Sequence, residues 1–108
     1  MLLEDIQQSI HYIIEDTGGM TRDEFVRNRF VHQAVERNFE IIGEAVNRLR
    51  RADPAVVDWI SGYEQIIGLR NTLLHGYDII NYSTLWHAVT VSMPVLENEV
   101  NGLLENSP

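Results

Sequence analysis

The sequence predicts an all-α fold, most simply an up-and-down four-helix bundle with short additional helices. Three observations carry that expectation. Apolar residues recur at steps of three and four in several separate stretches. No stretch sustains the period-two alternation of a half-buried strand. Glycines, prolines and capping residues fall between the apolar stretches, where helices would start and stop.

The elements follow in order. Leu3, Ile6, Ile10 and Ile13 give one stripe, which Gly18-Gly19 ends. Thr21-Arg22-Asp23-Glu24 has the spacing of a capping box, in which the first side chain and the fourth satisfy each other's backbone N–H; it opens a short helix or turn. Val35, Phe39, Ile42, Val46 and Leu49 mark a long helix from about Arg29 to Arg51. Asp53-Pro54 starts a short helical piece through Trp59, with proline at a first-turn position where its missing N–H costs nothing. Ser61-Gly62 breaks it. Ile66, Leu69 and Leu73 mark the next helix, with Gly76 as its C-cap. Asn81-Tyr82-Ser83 offers new N-caps. Leu85, Val89, Met93, Leu96, Val100 and Leu103 form the last stripe, which Pro94 should bend.

The 108 residues suit one small domain, residues 1–108, with no linker, repeat or low-complexity segment to divide it. A chain this short buries a modest share of its surface, so pairing with a second copy would help it. There is no cysteine, hence no disulfide framework or thiolate metal site. The opening MLLEDIQQSI has early acids and no basic region, unlike a signal peptide. No apolar run reaches the roughly 20 residues of a membrane span. The expectation is a soluble cytoplasmic protein.

The net charge of −8 argues against broad nucleic-acid binding by phosphate attraction alone. The cations are unevenly placed. There is no lysine; seven of the eight arginines lie between Arg22 and Arg51, and the eighth is Arg70. Any anion site should lie near the middle of the chain.

One stretch concentrates chemistry: GLRNTLLHGY, Gly68 to Tyr77. Asn71 and His75 are four apart and share a helix face. Arg70 and His75 are five apart, about 140° around the helix, so they do not stack, but the long arginine can reach the same cleft. Two readings stand. In one, His75 is a basic residue in the last helical turn, favoured by the dipole, and Tyr77 packs under the turn. In the other, histidine moves protons, arginine stabilises a phosphoryl transition state and asparagine orients the imidazole. Such a set can cleave RNA without a metal, since the 2′-hydroxyl supplies the nucleophile. Arg27-Asn28 and His32 repeat the same spacing, so spacing alone does not choose.

The segments AVERNFEIIGEA (Ala34–Ala45) and IIGLRNTLLHGYD (Ile66–Asp78) resemble the HEPN superfamily, and more closely its HepT-like branch, the toxin halves of HepT/MntA toxin–antitoxin pairs. The resemblance covers nearly the whole chain. It implies Arg70, Asn71 and His75 as the catalytic residues of a metal-independent endoribonuclease. It implies Tyr77 as the tyrosine to which an MntA-like nucleotidyltransferase antitoxin attaches AMP, and a homodimer in which two motif helices share one cleft. It sets Arg27 and His32 outside the motif. The partners implied are RNA, the antitoxin and a second copy, with no membrane. The alternative is a non-catalytic HEPN partner, or substrate-binding module, of a minimal nucleotidyltransferase.

Arg37 is a candidate for the substrate cleft or for an ion pair with Glu40. Glu40 and Glu44 suit a surface ion-pair face, with Arg48 available to Glu44. His11, His32 and His87 lack ligand spacing, so no metal and no cofactor is expected. Tyr63, Trp59 and Trp86 read as core or dimer contacts, and the acidic last helix as a solvated face.

Overall fold

The computed structural model describes residues 1–75 and 80–106. They form α1 (Leu2–Thr17), α2 (Arg22–Arg27), α3 (Arg29–Ala52), α4 (Pro54–Val57), α5 (Tyr63–Leu74), α6 (Tyr82–His87), a π-helical turn (Ala88–Ser92) and α7 (Met93–Glu105). No strand occurs among the described residues. The last three elements run on without a break, so four long helical units, α1, α3, α5 and α6–α7, make the bundle.

Polar contacts between helices fix its directions. Gln7 Nε2 donates to Asn101 Oδ1 at 2.8 Å and His11 lies 3.6 Å from Glu97, so α1 and α7 run antiparallel. Ser61, just before α5, donates its N–H and hydroxyl to Glu99 Oε2 at 2.9 and 2.7 Å. From there α5 runs back toward the start of α6. The ring of His32, near the start of α3, lies 4.4 Å from that of Tyr82 at the start of α6. Thus α3 runs with the last unit and against α1 and α5, the expected up-and-down order.

The predicted stripes form the core. Ile6, Ile10 and Ile13 of α1, Val35, Phe39, Ile42 and Val46 of α3, and Leu85, Val89, Met93, Leu96 and Val100 of the last unit are all buried. Each large aliphatic among them contributes on the order of 1.5–3 kcal/mol by leaving water. Phe25 of α2 closes one end, its ring 5.1 Å from Trp86 and 6.3 Å from His32. The fourth stripe is weaker. Ile66, Leu69 and Leu73 are only partly buried, and α5 has no fully buried residue. It packs chiefly on α3.

The boundaries follow local chemistry. Thr21 and Glu24 make both hydrogen bonds of the capping box. Asn28 ends α2 and caps α3, its side chain accepting from the Val31 N–H at 3.1 Å. Asp53 caps α4 and Asn81 caps α6. Gly19 takes φ +76°, a left-handed turn open to glycine, after α1. Three expectations are corrected or moved. The short helix stops at Val57, and Val56 and Val57 carbonyls hold Trp59 and Ile60 in tight turns instead. Trp59 is 72% exposed, so of its two expected places, core or dimer contact, the core is excluded. The predicted disturbance at Pro94 appears as the π turn just before it. There the Met93 N–H reaches back to the Ala88 carbonyl, which accommodates a proline that has no N–H to offer the Thr90 carbonyl. Gly76, expected as the cap of α5, lies outside the described residues.

Candidate active site

The site is built on the contact of α5 with α3. Midway along α3 stands Gly43, buried and without a side chain. A Cβ placed on it would lie 2.2 Å from the Cβ of Arg70, 2.8 Å from its Cγ and 3.3 Å from the Ile66 carbonyl. Only glycine therefore lets α5 lie this close, and the residue brought against α3 is Arg70.

Arg70 crosses over Gly43 to its neighbour. Its Nη2 lies 2.8 Å from Glu44 Oε2, and its Nη1 donates to Asn71 Oδ1 at 3.3 Å. Its Nε is buried and lacks a hydrogen-bond partner. The pairing of Glu44 with Arg70 replaces the expected pairing with Arg48. Nothing local in the sequence pointed to it, because the partner arrives on another helix. The side chain opens onto a cleft of about 410 Å³ between α1, α3 and α5, whose charged lining is Asp5, Arg37, Glu40, Glu44, Arg48 and Arg70.

Arg37 lines this cleft and donates to Glu40 Oε2 at 3.2 Å, so the expected ion pair is present. Asn71 turns its side-chain oxygen to Arg70 and its backbone carbonyl to the His75 N–H at 3.0 Å. His75 is exposed at the C-cap of α5, and among the described residues no hydrogen bond or ion pair reaches its ring. Tyr77 lies outside the described residues.

The competing pair is differently placed. His32 is buried, its Nδ1 3.1 Å from Glu36 and its ring between Phe25 and Tyr82. Burial, and then the Glu36 carboxylate, push the Tyr82 phenol up. Glu97 and Glu99, expected on a solvated face, instead tie α7 to α1 and to Ser61. Among the described residues no three His, Cys, Asp or Glu side chains gather as metal donors, and no helix is long and apolar enough to cross a membrane.

A family model described as ribonuclease HepT-like matches residues 6–103. The chain is 34% identical over 106 residues to "Putative RNase TTE0752" of Caldanaerobacter subterraneus subsp. tengcongensis, covering 95% of this chain and 91% of that one. It is 38% identical over 101 residues to "Putative RNase MJ1380" of Methanocaldococcus jannaschii, covering 91% and 89%. It is 30% identical over 105 residues to "Probable ribonuclease HepT" of Thermococcus cleftensis, covering 94% and 91%. No solved structure matches it.

Proposed function

The chain belongs to the ribonuclease HepT-like family of the HEPN superfamily, and from that membership we propose that it is a metal-independent endoribonuclease, the toxin half of a toxin–antitoxin pair. The observation that carries the reading is the placement of Arg70. In a small acidic protein, Arg70 of α5 enters a cleft that Arg37 and Arg48 of α3 also line, and a histidine stands exposed one turn and a half further along α5.

In this reading Arg70 binds the scissile phosphate and stabilises the charge that grows on it. The 2′-hydroxyl oxygen bonds to phosphorus while the bond to the 5′-oxygen breaks. One proton must leave the 2′-oxygen and one must reach the 5′-oxygen. His75 is the group suited to both transfers near neutral pH, and a two-fold cleft in a homodimer would supply two such imidazoles. The products are a 2′,3′-cyclic phosphate and a free 5′-hydroxyl. DNA, lacking the 2′-hydroxyl, is spared.

Control would lie at Tyr77, two residues beyond His75. A nucleotidyltransferase antitoxin forms a bond from its hydroxyl oxygen to the α-phosphorus of ATP and releases pyrophosphate. The added phosphodiester charge would occupy the guanidinium that RNA needs.

The test is incubation of total RNA with purified wild type, Arg70→Ala and His75→Ala in EDTA. Cleavage is expected only with the wild type. Full activity in folded His75→Ala, or activity that requires a divalent ion, would overturn the mechanism. Uncut RNA with the wild type would favour the non-catalytic partner of a nucleotidyltransferase. Co-expression with a neighbouring transferase should add AMP to the protein by mass, and Tyr77→Phe should abolish the adduct.

A further inference from the structure

Two local features around Arg70 run against stability, and a third adds little to it. A glycine in the middle of a helix is less stable than an alanine there, and Gly43 sits in the middle of α3. A buried donor without a partner costs stability, and Arg70 Nε is such a donor. The ion pair that accompanies them is partly exposed, with side-chain accessibilities of 23% for Arg70 and 46% for Glu44. A pair that wet contributes little. As a stabilising device the arrangement does not balance. As a device that fixes one guanidinium it is consistent throughout: Gly43 sets how deep α5 lies, Glu44 takes Nη2, and Asn71 takes Nη1.

We propose that Gly43 and Glu44 are positioning residues that hold Arg70 at the depth and orientation needed to meet a phosphate in the cleft, a role that rests on the ribonuclease reading. Neither touches the reacting atoms. Glu44 is the informative one, because its charge and its geometry pull in opposite directions. A carboxylate beside a phosphate site repels substrate, so removing it should strengthen RNA binding. If it also orients the arginine, removing it should slow the chemical step.

The test is the split between kcat and KM in Glu44→Ala, Glu44→Gln and Gly43→Ala. Glu44→Ala is expected to lower kcat by about tenfold or more, as misplaced groups do, with KM for RNA unchanged or lower. Glu44→Gln keeps an acceptor oxygen for Nη2 and should recover most of the kcat. Gly43→Ala, which forces Arg70 aside, should resemble Glu44→Ala. An unchanged kcat in Glu44→Ala, or a Glu44→Gln no better than Glu44→Ala, would overturn the proposal. A second measurement needs no RNA. The Arg70 side-chain Nε–H and Nη signals, assigned by loss in Arg70→Lys, should show restricted guanidinium rotation in the wild type and free rotation in Glu44→Ala. Equal mobility in both would overturn the proposal even where RNA is cut. Wild type that leaves RNA intact would overturn the ribonuclease reading instead, and the guanidinium signals would still decide whether Glu44 holds Arg70.

Discussion

His32 packs its ring against Phe25 and Tyr82 and turns Nδ1 to Glu36. Truncating it leaves a void and an unpaired carboxylate, so His32→Ala should cost about 1–3 kcal/mol of stability. A thermal melt should show that loss, and at a temperature where the variant is folded RNA cleavage should persist. Exposed Arg27→Ala should change neither. Loss of cleavage in folded Arg27→Ala would point to the wrong arginine. A second residue-level expectation concerns acid. The Thr21 backbone and side-chain hydrogen bonds hold the Glu24 carboxyl below the usual carboxylate range. A pKa depressed in the fold adds stability above the ordinary carboxylate value, and that stability is lost as pH falls through the depressed one. Amide signals of α2 should therefore report fraying on the acid side of that range, and Glu24→Ala should show the same fraying at neutral pH. Both Arg-Asn spacings looked alike in the sequence because spacing says nothing of burial; the family resemblance separated them, and the structure adds that His32 is buried against Phe25 and Tyr82 while His75 is exposed.

At the scale of elements, what was legible was local. The capping box at Thr21, the caps at Asp53 and Asn81 and the stripes of α1 and α3 depend on residues a few positions apart, and they stand where the spacing put them. What was not legible crosses between helices: Glu44 reaching Arg70 rather than Arg48, Glu99 reaching Ser61, and Gly43 admitting α5. A glycine inside a helical stripe looks like a mere weakness until the facing helix is known. Pro94 lies between the two cases, since its disturbance was readable but not its form. Pro94→Ala restores an N–H opposite the Thr90 carbonyl. It should leave Tm within the few degrees that about 1 kcal/mol moves a domain of this size, with the Ala88–Ser92 turn free to tighten, as amide coupling patterns would report. A fall much beyond that would mean that the proline, rather than the stripe from Leu85 to Val100, holds the last unit in place.

The whole molecule measures 43 × 31 × 19 Å, so across its thinnest direction it is about two helices deep. Such a slab leaves apolar groups with no third layer to cover them. Between α5 and the last unit runs a groove of about 540 Å³, lined by Ile66, Leu69 and Leu96, with Val91 and Val95 each half exposed beside it. Leu74, at the motif end of α5, is 44% exposed. This uncovered apolar surface is what the proposed homodimer would cover. Sedimentation at micromolar concentration should give twice the chain mass, and a monomer that still cuts RNA would contradict the shared cleft.

The shallow seat of α5 has a dynamic consequence. A helix with no fully buried side chain can detach without dissolving the core that α1, α3 and the last unit share. Its backbone amides should then exchange with deuterium through a partial opening whose free energy lies below that of global unfolding. Peptides spanning 63–74 should take up label well before those spanning 32–49, and RNA-sized phosphate ligands should slow the first and not the second. Equal protection in both would mean that the bundle opens only as a unit. Where the first opens alone, the arginine and histidine of the motif ride on the part of the molecule that leaves the native state most often.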